Sequence, residues 1–335
     1  MSDCIKMFLM KTALFLFLIT GICFLISSSA FAAEMELIYG VTTPGSTGYL
    51  APQAYIPVLS KYTDGRIKMV TQITRGASET VRMIRSGELK GGPAGPDGYW
   101  QSAYAKKAYE GKKKVKMYQL WPYTVAWWHI VVHDNSKFKT LKDLKGATVV
   151  TGGGGSYGPI CTEMLFKSIG FDPDKDVRRK FIGYGAAKTA MIDKKADVLV
   201  GYMGAPTSIV SEIASLHPIR FLDVSQAVVD RVNELYFDGS EVFRLGKLSK
   251  NFYKGMKRDA DAVKILYTFC VTKDVPEDVT YEMTKIWWEH QDEIIENLPK
   301  LKQVFNPKLV PEMQSSYAPI ASGAAKYYRE RGWLK

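Results

Sequence analysis

A glycine-rich stretch in the middle of the chain, TGGGGSYG, has the spacing of two motifs that carry chemistry. Gly153, Gly155 and Gly158 fit G-x-G-x-x-G, the turn that brings a backbone close to the pyrophosphate of a dinucleotide. Gly154, Ser156 and Gly158 fit G-x-S-x-G, the turn that exposes the serine nucleophile of a hydrolase. A third interpretation needs no reaction, because backbone N–H groups at a helix start, together with the helix dipole, can hold a carboxylate.

Neither nucleotide motif has the surroundings that it needs. The dinucleotide turn requires an acidic residue about 20 positions later, at the end of the next strand, where Gly183 and Tyr184 stand. A phosphate loop of the Walker type requires lysine and then serine or threonine after its last glycine, where Pro159 and Ile160 stand. We therefore predict that the protein has no cofactor.

The hydrolase motif lacks a suitably placed histidine. His217 and His290 follow Ser156, but His217 precedes a proline and a strand, and His290 lies within a helical run. Ser156 also suits the N-cap of the following helix. We predict that the protein is not an enzyme, and an exported serine hydrolase that uses Ser156 is the alternative.

The histidines do not form a metal-binding motif. His129 and His133 are four positions apart in a predicted strand, which separates them by about 13 Å, too far to share an ion. The sequence contains no C-x-x-C or H-E-x-x-H. No metal site is predicted.

The elements that must position the glycine-rich turn recur along the chain as strand, small-residue turn and helix. Such units begin near residues 36 and 66, and again near 147, 181 and 197. Strands that alternate with helices indicate an α/β fold with parallel strands. Because the pattern restarts near 147, we predict two similar α/β lobes.

Two extended apolar runs, at 125–135 and 262–274, are predicted to cross between the lobes. The helical patterns after residue 275 have no strands of their own to cover, so we predict that they return to the first lobe. The predicted lobe one comprises residues 34–134 and 263–335, and the predicted lobe two comprises residues 135–262.

The N-terminus has the form of an export signal. Lys6 and Lys11 precede an apolar run, and Ala30-Phe31-Ala32 has the small-x-small form of a signal-peptidase site. The apolar run is shorter than the roughly 20 residues that span a bilayer. We predict that residues 1–32 are a cleaved signal peptide and that the mature protein is soluble and periplasmic.

The net charge is +11 at pH 7, of which about +10 remains after the signal peptide is removed. Most lysines are scattered, and an exported protein seldom meets nucleic acid, so we predict no nucleic-acid partner. A positive field favours encounters with small anions.

The cysteines do not indicate a disulfide framework. Cys4 and Cys23 leave with the signal peptide, and the mature chain keeps Cys161 and Cys270, both in apolar surroundings. Unpaired cysteine is among the most buried residue types, so we predict two buried thiols.

Three segments of the mature chain follow one family's pattern: RGASETVRMIRSGEL at 75–89, FKTLKDLKGATVVTGGGGSYGPICTEMLFKSIGF at 138–171, and DVPEDVTYEMTK at 274–285. They resemble the solute-binding proteins of TRAP transporters of the TAXI type, over essentially the whole mature chain. The resemblance implies a two-lobed periplasmic-binding-protein fold (type II) with two crossover strands and an interlobe cleft. It also implies a TRAP-type membrane permease as partner. We predict a monomer.

The chain departs from the family pattern at two places. Arg75 stands where a small residue is usual, and we predict that its guanidinium clamps a ligand carboxylate. The segment GGPAGPD at 91–97 replaces the apolar strand that usually follows S-G-E. These differences alter the pocket, so the resemblance does not identify the ligand.

We predict a receptor that captures a small organic anion, an amino acid or a carboxylate or dicarboxylate, and delivers it to the permease. A ligand-sensing receptor for a signalling partner is a further alternative. Open α/β sheets bind ligands at the carboxyl ends of their strands. The predicted ligand-contacting residues, all at turns or strand ends, are Thr43, Ser46, Thr47, Tyr49, Arg75, Ala77, Ser78, Tyr99, Gly154, Gly155, Ser156, Tyr184 and Tyr202.

Overall fold

A computed structural model describes residues 35–154 and 157–335. The predicted signal peptide at 1–32 and the predicted ligand residues Gly155 and Ser156 lie outside the described residues. Within the described ranges, no helix is long and apolar enough to cross a membrane.

Strands and helices alternate through most of the described chain. The strands are β1 Met35–Val41, β2 Ile67–Ile73, β3 Gly91–Ala94, β4 Tyr118–His133, β5 Thr148–Val150, β6 Arg178–Lys180, β7 Val198–Gly204, β8 Ile219–Phe221, β9 Arg244–Leu248 and β10 Ala260–Val271. The α-helices are α1 Thr47–Tyr62, α2 Ala77–Ser86, α3 Pro96–Tyr104, α4 Tyr157–Ser168, α5 Tyr184–Ile192, α6 Ser208–Leu216, α7 Gln226–Phe237, α8 Glu277–Glu289, α9 Gln291–Asn297 and α10 Ser322–Glu330.

The strands form one sheet in the order β2-β1-β3-β10-β4-β7-β5-β6, with β8 paired to β4 and β9 paired to β10. β2, β1 and β3 are parallel at one end of the sheet, and β7, β5 and β6 are parallel at the other. The long strands β4 and β10 pair antiparallel between them. We call the β2-β1-β3 end with its helices lobe one and the β7-β5-β6 end with its helices lobe two. The predicted α/β class and two-lobed architecture are confirmed.

The pairing of β4 with β10 is irregular near its middle. Tyr267 pairs with Thr124, whereas the next residue, Thr268, pairs with Pro122, so Tyr123 forms a bulge. A bulge is one of the places where a sheet tolerates a proline, which has no N–H to donate. Bulges also turn the neighbouring side chains, and Tyr267 lies next to this one.

The segment GGPAGPD does form a strand, and the expectation that it replaces one is wrong. Gly91–Ala94 is β3, which pairs with β1 on one side and with β10 on the other. A Cβ at Gly91 would overlap the carbonyl oxygen of Cys270 and would lie 2.5 Å from Cε2 of Tyr39. The glycine therefore allows the close approach of neighbouring strands that an apolar side chain would prevent.

Three apolar clusters cover the sheet. One fills lobe one and a second fills lobe two. The third is continuous from α2 and α3 in lobe one to α4 and α7 in lobe two. In that third cluster the ring of Trp100 meets Phe237 edge-on at 5.3 Å, and Trp100 Nε1 donates to Ser240 Oγ at 2.9 Å. The two lobes therefore touch through packed side chains as well as through β4 and β10.

The C-terminal helices pack on elements near the start of the chain. Tyr55 Oη in α1 donates to the carbonyl oxygen of Met283 in α8 at 2.6 Å. Trp287 of α8 stacks on Trp121 of β4, with ring centroids 5.1 Å apart. The lobe boundaries at 134/135 and 262/263 stay predictions.

The two cysteines among the described residues confirm the prediction of buried thiols. Cys161 and Cys270 are both free and buried. Burial raises the pKa of the Cys270 thiol to about 12, so this sulfur is a protonated thiol at neutral pH.

Candidate functional site

The first predicted turn, after β1, is held by its own hydroxyl groups. Thr42 Oγ1 and Ser46 Oγ share a hydrogen bond of 2.6 Å, and Ser46 Oγ donates to the carbonyl oxygen of Thr43 at 2.6 Å. Thr43 is exposed, whereas Ser46, Thr47 and Tyr49 are half-buried. The turn therefore presents α1 at the carboxyl end of β1, where a ligand can reach it.

The second predicted turn, after β2, lies beside the first. The backbone N–H of Thr74 donates to the carbonyl oxygen of Val41 at 2.7 Å, and Thr74 Oγ1 and Thr80 Oγ1 are 2.8 Å apart. Ala77 is half-buried and Ser78 is exposed at the start of α2. The strand ends of lobe one thus bring these two predicted turns together.

Arg75 is turned towards its own helix. Its side chain is 90% exposed, and Nη2 lies 2.9 Å from Oε1 of Glu79. The Glu79 carboxylate also accepts from the backbone N–H of Arg75 at 2.7 Å. Hydrogen bonds from Arg75 lower the pKa of Glu79. Because Glu79 occupies the guanidinium, we do not include Arg75 in the proposed ligand site.

Replacing Arg75 with alanine is expected to change little. An exposed ion pair contributes little to stability, so we expect Arg75→Ala to shift the melting temperature by less than about 1 °C. We also expect less than about a threefold change in solute affinity, measured by calorimetric titration. A loss of tenfold or more would restore the carboxylate clamp that the sequence predicts.

The glycine-rich turn of lobe two packs tightly at its far end. Gly152 has a φ of 90°, a backbone conformation that favours glycine. A Cβ at Gly158 would overlap the carbonyl oxygen of Thr151 and would lie 2.7 Å from Tyr184 Oη. Tyr184 Oη accepts from the backbone N–H of Tyr202 at 3.2 Å. The predicted residues Gly154, Tyr184 and Tyr202 therefore belong to one region, with Gly154 exposed.

Tyr99 lies in the core rather than at an open surface. Its side chain is 2% exposed, and its hydroxyl group shares a hydrogen bond of 2.8 Å with Thr268 Oγ1. Thr268 in turn donates to Gln119 Oε1 at 3.0 Å. Since its hydroxyl group is already bonded, Tyr99 positions α3 against β10 and we leave it out of the proposed site.

A row of tyrosine rings lies between lobe two and the crossing strands. Tyr157 and Tyr202 have ring centroids 4.9 Å apart, and Tyr202 and Tyr267 have ring centroids 6.0 Å apart. All three side chains are half-buried. Of these three tyrosines, Tyr202 is predicted from the sequence as a ligand residue. Tyr157, at the start of α4, and Tyr267, in β10, are not.

Asp97 brings lobe one to this row of tyrosines. It lies in the first turn of α3, directly after β3, and its carboxylate lies near the Tyr157 hydroxyl group, which opposes the rise of its pKa. Its side chain is half-buried. Burial raises the pKa of this carboxyl group, and the hydrogen bonds from Tyr157 and the Gly98 backbone oppose that rise. Asp97 and Tyr157 thus connect the two lobes at strand ends.

A sequence signal for Asp97 did exist. It follows a strand in the segment GPD and begins a helix, which is the position that the strand-end rule selects. Because the glycines and prolines of this segment have the composition of a turn, the sequence does not predict a strand end there. Tyr267 does not follow a strand end in the sequence. It lies inside the long strand β10, next to the bulge in β4.

The described residues give little support to the catalytic alternatives. His217 Nε2 lies 3.0 Å from the carbonyl oxygen of Ile192, and His290 stacks on Tyr62 with centroids 3.5 Å apart. Both imidazoles therefore have structural partners. Within residues 35–154 and 157–335, no group of three or more His, Cys, Asp or Glu side chains is arranged to hold a metal ion.

The fold is that of periplasmic solute-binding proteins. The TctC solute-binding protein from Polaromonas is similar with a TM-score of 0.52 and 13% identity, over 79% of this chain and 88% of that one. The periplasmic sulfonate-binding protein SsuA from Methylobacillus flagellatus matches with a TM-score of 0.48 and 13% identity, over 90% and 89% of the two chains. The TctC protein is the neighbour that supports the shared fold.

The chain belongs to the NMT1-like family, which matches residues 42–332. The match spans both lobes, both crossing strands and the C-terminal helices. The TAXI-type resemblance predicts a narrower group of proteins than the NMT1-like family, and the family match does not test it.

Proposed function

We propose that the protein is an extracytoplasmic receptor that captures a small organic acid between its lobes and delivers it to a TRAP-type membrane permease. The observation that most supports this is the meeting of strand ends from both lobes at Asp97 and Tyr157. A solute between them contacts both lobes at once, as a receptor that closes around its ligand requires.

The glycine-rich turn supports an acidic solute. Residues 151–154 lead into α4, a helix of 12 residues whose N-terminus carries the positive end of its dipole. Backbone N–H groups at such a turn suit a carboxylate without any titrating side chain. The proposed ligand residues are Thr43, Ser46, Thr47, Tyr49, Asp97, Gly154, Tyr157, Tyr184, Tyr202 and Tyr267.

The partner is proposed from the family resemblance. RGASETVRMIRSGEL and DVPEDVTYEMTK carry the TAXI-type pattern, and permeases of that type are driven by an ion gradient. Uptake of the bound solute into vesicles that hold the permease should therefore need the receptor and an ion gradient. A strict need for ATP would contradict the TRAP assignment.

A thermal screen of the mature protein tests the proposed ligand class. A solute at a hundred times its dissociation constant stabilises the folded state by about 2.7 kcal/mol, which raises the melting temperature by several degrees. We expect organic acids to give this shift, and sugars, polyols and simple amines to give none. A screen in which only sugars or other neutral solutes stabilise the protein would contradict the proposal.

A further inference from the structure

We propose that Asp97, Tyr157, Tyr202 and Tyr267 form a subsite for a protonated amine, so that the captured solute carries an ammonium group as well as a carboxylate. This inference depends on the proposed function, because it assigns one end of the solute to lobe one and the acidic end to the glycine-rich turn of lobe two. It narrows the ligand from organic acids in general to zwitterions such as amino acids.

The carboxylate of Asp97 is fixed in place by its surroundings. A Cβ at Gly95 would lie 2.7 Å from Tyr267 Cε1 and 3.0 Å from Asp97 Oδ1. The Tyr267 ring and the Asp97 carboxylate therefore both lie against Gly95, where a larger residue would not fit. The hydroxyl group of Tyr157, from the opposite lobe, lies near the same carboxylate and opposes the rise of its pKa. The charged group thus lies between a crossing strand and lobe two, inside the cleft.

The negative charge of Asp97 is not balanced by the protein. Among the described residues, no lysine or arginine forms an ion pair with it, although the charge of Lys107 acts to lower its pKa. Lys107 Nζ lies over the ring of Phe237, 4.5 Å from its centroid. A half-buried carboxylate without a cation is unfavourable. A ligand ammonium group would supply the missing positive charge.

Asp97 has room for another hydrogen bond. An ionised carboxylate offers about four acceptor positions, and no lysine or arginine among the described residues pairs with that of Asp97. An ammonium group has three donors and no acceptor. The pairing of the two groups is therefore chemically complementary, whereas a second carboxylate at this place would be repelled.

The tyrosines complete the subsite. The Tyr202 hydroxyl group is buried and has no hydrogen-bond partner among the described residues, so its oxygen is available to accept from a ligand N–H. The proposed subsite also contains three half-buried aromatic rings, those of Tyr157, Tyr202 and Tyr267. The faces of aromatic rings attract cations. Three different elements provide these rings, so their convergence is not a property of one helix.

The competing explanation is that Asp97 serves α3 alone. An acidic residue in a first turn interacts favourably with the helix dipole. Asp278 is the matched control, because it lies in the first turn of α8, is exposed and occupies the same second position of its helix. Asp97→Asn and Asp278→Asn remove the same charge from equivalent helical positions, but only Asp97 lies in the cleft.

The test is calorimetric titration of the mature protein with matched pairs of solutes. Each pair differs by the amine: glutamate and glutarate, aspartate and succinate, 4-aminobutyrate and butyrate. We expect the wild type to prefer one amine-bearing solute over its partner by at least about tenfold. We expect Asp97→Asn to abolish that preference and Asp278→Asn to keep it.

The melting temperature without solute is a second readout. Because burial raises the pKa of Asp97, its charge destabilises the folded state above that pKa, and the folded protein takes up a proton at higher pH than the unfolded chain. We expect Asp97→Asn to melt about 2 °C higher than the wild type at pH 7. That difference should disappear as the pH falls through the pKa of Asp97, and a folded, more stable variant excludes misfolding as the cause of lost binding.

The outcomes separate this inference from the proposed function. If amine-bearing and amine-free acids bind the wild type equally, or if Asp97→Asn keeps the preference, the ammonium subsite is wrong and the receptor proposal stands. If no solute binds, the proposed function fails and the inference fails with it. Should Asp97→Asn prove unstable, Tyr157→Phe removes the hydroxyl group near Asp97 and must at least alter the preference.

Discussion

Replacing Gly158 with alanine should weaken solute binding by roughly a hundredfold. The new Cβ would overlap the carbonyl oxygen of Thr151 and lie 2.7 Å from Tyr184 Oη. The main-chain oxygen cannot rotate away, so the start of α4 must move, and Tyr157 must leave Asp97. Overpacking of this kind destabilises a protein by about 1–3 kcal/mol. Calorimetric titration with the solute found in the screen measures the loss of binding that follows from the displaced turn and Tyr157.

Gly185→Ala is the control for that variant. Gly185 lies in α5, close in sequence to Tyr184, but a Cβ there has no heavy atom within 4 Å. Alanine is a better helix former than glycine by roughly 1 kcal/mol, so this variant should be slightly more stable and should bind as the wild type does. If Gly158→Ala also binds normally, the tight turn does not position the ligand site.

Replacing Trp287 with alanine should give the largest loss of stability. Trp287 is 0% exposed and packs between Trp121 at 5.1 Å and Phe305 at 4.9 Å, with Tyr55 edge-on at 5.4 Å. Removing a buried aromatic ring of this size typically lowers the free energy of unfolding by about 3–5 kcal/mol. Urea denaturation followed by circular dichroism measures this change.

Trp333→Ala provides the comparison for Trp287. Trp333 lies near the end of the chain, is half-buried, and meets Trp288 with ring centroids 4.8 Å apart. We expect a loss of about 1 kcal/mol for this less buried ring. If Trp287→Ala is no more harmful than Trp333→Ala, α8 does not depend on β4 for its stability.

Much of the fold follows from local patterns. Alternating strands, small-residue turns and helices identify both parallel groups, because each unit carries its own period and its own turn. Where a contact from elsewhere decides the structure, the local pattern fails. β3 is a strand because Gly91 lets β10 approach, although its sequence has the composition of a turn. The run MQSSYAPIASGAAKYYRERG looks helical over its length, yet α10 spans Ser322–Glu330.

The candidate site divides in the same way. The glycine-rich turn and Tyr202 can be found from the sequence, because each directly follows a strand. Asp97 and Tyr157 are 60 positions apart in the numbering and meet only through the arrangement of the lobes. Arg75 stays a prediction of the sequence: a cation at a turn suggests an anion, whereas in the structure its guanidinium pairs with Glu79 on the next helical turn.

The contact between Trp100 and Phe237 has a consequence for how such a receptor would work. Any opening of the cleft that separates the lobes there must expose two nearly fully buried rings and break the 2.9 Å bond from Trp100 Nε1 to Ser240 Oγ. Apolar surface returned to water is unfavourable by about 25 cal/mol per Å². The conformation in which the lobes touch is thus favoured even without a solute. A receptor whose binding-competent conformation is the main one loses little apparent affinity to the conformational equilibrium. For the proposed receptor, release of the solute rather than its uptake is then the step that would require work from the permease.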